Sequence, residues 1–321
     1  MQHSQCHLTC RKNRNKQMSY NERYKLMFDK NILSSTHLNF LFGAGVNGTV
    51  LPQLNKFCKT RAKIEEFNGD TTNGIESGID TIDDEKHREE IKQEFITEFK
   101  EFYNNAVSPG AWSTDHSLLH LEQLLRKIYS ITHEAQNRHP SMKQINIYTL
   151  NYDDIVERKL GQLGYFYNSI SASNTATKAG LMDVIGYNYN TKKYIPSFMI
   201  SKLHGDIDQP IIPGKAKYRE MLNEEYFEIA FHMKEQLCRQ NSILIVIGYS
   251  GNDKHINKIL QDCLNAGLTL YWYKYSSTDT VPFEINGQVI IRDQDDYDHK
   301  KDTTLNCYED MEMAWGEKSE E

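Results

Sequence analysis

Hydrophobic positions follow two alternating rhythms along the chain. Short apolar runs occur at Leu38-Phe42, Ile145-Tyr148, Met199-Leu203, Ser242-Ile247 and Leu268-Tyr273, with a weaker one at Gln288-Ile291. Between them, apolar residues return every third or fourth position, the spacing of one helix face. Each short run predicts a strand. Ser242-Ile247 reads SILIVI, continuous and β-branched, which suits a central strand covered on both faces. Leu51, Leu54, Phe57 and Cys58 predict a first crossover helix. A long helix is expected over 84–107 on the stripe Ile91, Phe95, Phe99 and Phe102, stopped by Ser108-Pro109-Gly110. Asp115 reads as the cap of a helix carrying Leu118, Leu121, Leu124, Leu125 and Ile128. Three more follow: one from Ile155 to Gly164, one over Glu224-Arg239 on Phe227, Ala230, Met233 and Leu237, and one on Ile256, Ile259, Leu260, Cys263 and Leu264. Residues 68–84 are rich in Gly, Thr, Asn and Asp and read as a loop; 165–197 read as loops with short strands.

Strand and helix in alternation predict an α/β fold, a doubly wound, Rossmann-like parallel sheet, with a helical insertion module. The expected organisation is a flexible tail over 1–19, a main domain over 20–300 with the insertion at about 84–138, and a C-terminal segment over 301–321 ending in acidic GEKSEE. The formal net charge of −7 gives no overall footprint for nucleic acid or a membrane surface. No apolar run approaches the roughly 18 residues of a membrane span, and the basic N-terminus lacks the apolar centre of a secretory signal. Six cysteines are scattered with no C-x-x-C pair, so no zinc is expected. A cytoplasmic protein with reduced thiols is the expectation.

Candidate chemistry sits where the strands end. Gly43-Ala44-Gly45 follows the first strand, and Gly48 completes a G-x-G-x-x-G. Such a turn lets a ligand approach the main chain, and a helix after it would direct free N–H groups at an anion. The motifs TLNYD (149–153), LHGD (203–206) and GYSGND (248–253) close three further strands. In a doubly wound sheet, ligands bind outside the carboxyl ends of the strands. Four loops are therefore expected to meet in one crevice.

Together these motifs resemble the sirtuin family, and most of all its bacterial anti-phage branch, which includes the Thoeris-type effectors. Gly43-Ala44-Gly45 is similar to that family's first dinucleotide loop, Thr149-Leu150-Asn151-Tyr152-Asp153 to its T-x-N-x-D, His204-Gly205 to its catalytic H-G, and Gly248-Tyr249-Ser250 to its later G-x-S. Two features depart from the deacylating members. The paired cysteines of their zinc module are missing, and Asn47-Gly48-Thr49-Val50-Leu51-Pro52 replaces a P-D-F-R-like stretch. What the resemblance implies is an NAD hydrolase, with NAD as substrate, acting as an NAD-depleting defence effector. An NAD or ADP-ribose sensor is the alternative, and a deacylase or ADP-ribosyl transferase a weaker one. Control would come from a partner protein, of ATPase or Argonaute type, or from homo-oligomer assembly.

Under that reading Asn151 positions the attacking water, because its amide donates and accepts without charge; helix capping is its competing role. His204 accepts a proton from a ribose hydroxyl or the water. Asp153 supports the ribose or caps a helix. Asp206 either orients His204 or shapes a turn. Gly43, Ala44, Gly45, Asn47, Gly248, Ser250, Asn252 and Asp253 are expected to bind the cofactor's phosphates and riboses, with capping as the rival role of Asp253. The acidic run Asp293, Asp295, Asp296 and Asp298 reads as a solvated loop, and no metal ligand is assigned.

Overall fold

The structure, a computed structural model, describes residues 28–134, 138–171, 186–188, 193–211, 224–297 and 302–315. The expected tail over 1–19 and the terminal GEKSEE lie outside the described residues. In chain order the elements begin with α1 (Lys30–Ser35), β1 (His37–Phe42), α2 (Cys58–Glu66), α3 (Ile75–Asp80), α4 (Glu85–Ala106), α5 (Pro109–Thr114) and α6 (His116–Tyr129). Then come β2 (Ile145–Thr149), α7 (Ile155–Gln162), β3 (Tyr167–Ile170), β4 (Gly186–Asn188), β5 (Lys193–Ile195) and β6 (Phe198–Lys202). The last are α8 (Glu224–Leu237), β7 (Ser242–Ile247), α9 (Lys254–Asn265), β8 (Thr269–Tyr273), β9 (Val289–Arg292) and α10 (Thr303–Trp315).

Seven strands form one parallel sheet in the order β3-β6-β2-β1-β7-β8-β9, and β4 and β5 pair separately as an antiparallel ribbon. The sheet is therefore doubly wound. From β1 the chain builds outward through β2, then crosses back to build the other half from β7. Alternation along each strand sends side chains to opposite faces. On one face Phe40, Phe42, Ile147 and Ile245 join the helical module (Phe57, Phe95, Leu121, Leu125) and α10 in a single core. On the other, Leu41, Tyr148, Leu244 and Val246 pack beneath α8 and α9 through Met233, Leu237, Ile256 and Leu260. The helical insertion shares one core with that face of the sheet, and its aromatic residues Phe57, Phe95, Phe99 and Phe102 also pack on one another.

Three expectations need correction. No α-helix follows the glycine turn: Ala44–Asn47 make one 3-10 turn, and α2 starts only at Cys58. Gly48 ends the turn at φ +58° and ψ −120°, a conformation that stops a helix, and Pro52 follows. The loop expected over 68–84 contains α3, which buries Ile75 and Ile79 despite its polar composition. In α8 the covered residues are Tyr226, Ile229, Met233 and Leu237, while Phe227 and Phe231 stack on each other and are exposed. The C-terminal segment, for which the sequence predicted no element, carries α10, which packs Cys307 and Met311 into the core.

Candidate active site

Four loops meet at the carboxyl end of the sheet, three from the half that holds β1, β2 and β6 and one from the half that starts at β7. The loop after β1 runs directly under the loop after β7. Gly43 donates to Ile247 O at 3.0 Å and Gly45 to Gly248 O at 3.1 Å. A Cβ on Gly43 would lie 2.3 Å from Gly248 O, and one on Gly248, at φ +68°, would lie 2.3 Å from Val46 N. These glycines let two backbones touch. The space above Gly43 that the sequence assigns to a pyrophosphate is taken by Gly248. Ala44 and Gly45 remain the more open part of this loop.

The loop after β2 is tied to it. Leu150 donates to Phe42 O at 3.0 Å, which continues the β1–β2 pairing past the strand end. Asn151 receives its backbone restraint from Thr149 Oγ1 at 3.0 Å, and its Nδ2 donates to Gly43 O at 3.2 Å. That fixes the plane of the amide and leaves Oδ1 as its acceptor. Asp153 is 5% exposed. Its carboxylate accepts from both Ile155 N, at 3.1 Å, and Asn47 Nδ2, at 3.2 Å to either oxygen. The capping role expected of it is therefore partly real, although α7 starts after Asp154. Burial pushes the Asp153 carboxyl up to about 6, against the pull of Lys202. Asn47 is 2% exposed, and its Oδ1 has no hydrogen-bond partner among the described residues. A buried acceptor without a donor is costly unless something supplies one. A ligand hydroxyl or amide would fit there.

The loop after β6 brings His204, 8% exposed. Its Nε2 lies 2.9 Å from Asp253 Oδ2. Asp253 belongs to the loop after β7, and its Oδ1 caps α9 by accepting from His255 N at 3.0 Å and Ile256 N at 3.2 Å. Asp206 does not take that place: its Oδ1 accepts from Asp208 N and Gln209 N in a turn, and its Oδ2 from Ser171. Ser250 and Asn252 lie on the exposed outer part of the same loop. Of the residues assigned from sequence, Asn151 is bonded to Gly43, Asn47 to Asp153, Gly45 to Gly248 and His204 to Asp253.

Three neighbours were not anticipated. Lys202, buried at the end of β6, donates to Asp153 O and pairs with Glu157 at 3.2 Å. Tyr249 accepts from Asp253 N at 3.1 Å and reaches Asn257 Oδ1 at 2.9 Å. Thr304 of α10 donates to Val46 O at 3.0 Å. A lysine inside an otherwise apolar strand, FMISKL, was the available signal for the first. Thr304 carries no local signal, because its partner is 258 positions away.

Residues 145–284 match the SIR2-like domain. The SIR2-like segment runs from β2 to beyond β8, so it contains Asn151, Asp153, His204 and the loop after β7. The glycine loop after β1 lies outside it and joins it in space through Gly43, Gly45 and Asn47. A solved structure described as the structural basis for the mechanism and regulation of Sir2 enzymes aligns with 92% of this chain and 97% of its own, at 11% identity and a TM-score of 0.42. Comparison with curated proteins found no match. Among the described residues no helix is long and apolar enough to cross a membrane, and no group of three or more His, Cys, Asp or Glu is placed to hold a metal.

Proposed function

We propose that the chain is an NAD hydrolase that splits the nicotinamide–ribose bond to nicotinamide and ADP-ribose. The observation that carries this reading is the meeting, at one end of a doubly wound sheet, of an uncharged amide pinned to the glycine loop (Asn151) and an imidazole held by a carboxylate (His204 with Asp253). The chemistry needs little more. When the bond breaks, nicotinamide takes the electron pair and leaves neutral, so no general acid is required. Positive charge grows on the ribose, as in glycoside cleavage. Asn151 Oδ1 holds a water by accepting a hydrogen bond from it, and the water oxygen adds to the anomeric carbon as His204 takes the one proton released. Asn47 Oδ1 receives a hydroxyl or amide of the substrate. Ala44, Gly45, Ser250 and Asn252 offer the phosphate side its more open contacts. The motif likeness also supports a role as a cytoplasmic, NAD-depleting effector in anti-phage defence. Hydrolysis would then be held in check by a partner protein, an ATPase or Argonaute-type protein, or by homo-oligomer assembly. The missing paired cysteines speak against a lysine deacylase.

A non-catalytic NAD or ADP-ribose sensor has one observation in its favour: the Asn151 amide already serves the fold by bonding Gly43 O. Nicotinamide release by the chain with its partner present separates the two. Asn151→Ala and His204→Ala are each expected to slow release by ~10²–10⁴ with smaller effects on NAD binding. Wild-type release rates from both folded variants would place the chemistry elsewhere. Wild type that binds NAD and never releases nicotinamide would favour the sensor.

A further inference from the structure

Resting on the hydrolase reading, we propose that Asp253 is a positioning residue that fixes the proton of neutral His204 on Nε2, making Nδ1 the atom that accepts a proton. An ionised carboxylate can only accept hydrogen bonds. The donor in the 2.9 Å contact between His204 Nε2 and Asp253 Oδ2 is therefore the ring. A neutral imidazole has one donor and one acceptor nitrogen, so Nδ1 is the acceptor. When Nδ1 takes a proton from a ribose hydroxyl or the attacking water, the imidazolium faces a carboxylate that stabilises it.

Asp253 cannot turn away. Its Oδ1 is engaged by the N–H groups of His255 and Ile256, which makes it the cap of α9. Its main chain is clamped by Tyr249, whose hydroxyl accepts from Asp253 N at 3.1 Å and lies 2.9 Å from Asn257 Oδ1. The two side chains are 10% and 6% exposed, so water competes weakly for the bond. One carboxylate thus does two jobs with two oxygens, and helix α9 serves as the mount for a ring carried by a different strand.

The cap makes the proposal testable with one atom exchanged. In Asp253→Asn, only Oδ1 can accept from the two N–H groups of α9, so the amide must place Nδ2 where Oδ2 stood. A donor then faces Nε2, the ring must accept there, and its proton moves to Nδ1. Asparagine is as good a cap as aspartate, so the fold is retained. Histidine ring ¹⁵N spectra report the tautomer, with the His204 signals assigned by their loss in His204→Gln. The expected result is an Nε2-protonated ring in wild type and an Nδ1-protonated ring in Asp253→Asn. The melting temperature should barely move. Nicotinamide release should lose ~10²–10⁴ in kcat, with KM for NAD held within about threefold. Asp253→Ser, which can cap but is too short to reach the ring, should lose the fixed tautomer as well. A wild-type ring protonated on Nδ1, or an unchanged tautomer in the asparagine variant, would overturn the proposal. So would a loss confined to KM, which would make Asp253 a ligand of NAD. The spectra require no turnover. A chain whose ring behaves as described but never releases nicotinamide refutes the hydrolase reading and not the positioning of the ring.

Discussion

Asp153 is a carboxyl group that folding holds against its own ionisation. Burial is the main cause, and the pull of Lys202 and the bonds from Ile155 N and Asn47 Nδ2 offset only part of it. The consequence for stability has a definite sign. The folded-state value is about 6, while an exposed aspartate ionises near 4. Between those two values the unfolded chain has lost its proton and the folded chain keeps it. Stability from this group is therefore full below about pH 4, falls as pH rises to about 6, and is flat above. The cost at neutral pH is on the order of 3 kcal/mol. Strongly shifted carboxyls cluster at functional sites, which makes Asp153 a candidate for the chemistry proposed above. Asp153→Asn is expected to raise the melting temperature at pH 7 and to leave it nearly unchanged at pH 4, while NAD turnover falls. Its amide can accept from Ile155 and donate to Asn47 Oδ1 once the Asn47 amide turns over. Thermal melts of both proteins across pH 4–8 test this. An asparagine variant that is less stable at pH 7 than wild type would show that the buried charge is compensated.

At the scale of elements, the glycine loop is held by the loop after β7. A Cβ on Gly45 would come 2.8 Å from Gly248 Cα, and one on Gly43 closer still to Gly248 O. Both obstacles are backbone and cannot swing aside. Gly43→Ala should therefore lower the melting temperature outright, by roughly 1–3 kcal/mol or more of stability, the usual cost of overpacking. NAD affinity should fall because the loop has moved. A Gly43→Ala chain with wild-type stability and reduced affinity would show instead that the side chain met only the ligand. The sequence made this loop visible but not its reason. Gly-x-Gly looks the same whether it admits a phosphate or another strand's loop, and Gly248 lies some 200 positions away. The strand runs from Leu38-Phe42 to Leu268-Tyr273 were legible because strands buried on both faces are largely apolar, and Gln288-Ile291 read weaker because β9 is a partly buried edge strand. Phe227 misled for the opposite reason. Both Phe227 and Tyr226 in α8 are large and aromatic, so periodicity alone allowed either face, and only packing selects Ile229 and Met233, in the core with β7, and Tyr226, against Ile211. Asp253 had two candidate roles in the sequence, cofactor ligand and cap. The cap is observed, and the bond to His204 was illegible because it joins residues 49 positions apart.

On the scale of the whole molecule, the chain's last described helix closes the first loop. α10 adds no strand, yet it packs on α6 and reaches β1's glycine turn through Thr304 and Val46 O. Its deepest tie is polar. Asp310 accepts from Arg292 Nη2 at 3.0 Å, from Tyr273 at 2.7 Å and from Tyr297 at 2.5 Å. Arg292 and Asp310 are 6% and 1% exposed, so neither charge is hydrated. Burial, reinforced by Asp310, holds both phenols well above their usual range, which keeps them donors. Removing one member of a buried pair leaves the other uncompensated, a loss of about 3–5 kcal/mol. Asp296, 3.6 Å from Arg292 Nη1, softens this only slightly because it is partly exposed. Asp310→Ala is therefore expected to destabilise the entire chain, since the network joins α10 to β8 and β9 at the edge of the same sheet that carries the site. Thr304→Val is the complementary variant: it removes one buried bond, worth about 1 kcal/mol, and frees the Val46 end of the glycine loop. Chemical denaturation and NAD titration together distinguish the two effects. Asp310→Ala should shift the unfolding midpoint strongly, with NAD affinity lost only as the fold is lost. Thr304→Val should weaken NAD binding while the midpoint changes little. An Asp310→Ala chain that unfolds at the wild-type denaturant concentration would show that α10 is an appendage, not the element that locks the glycine loop into the core.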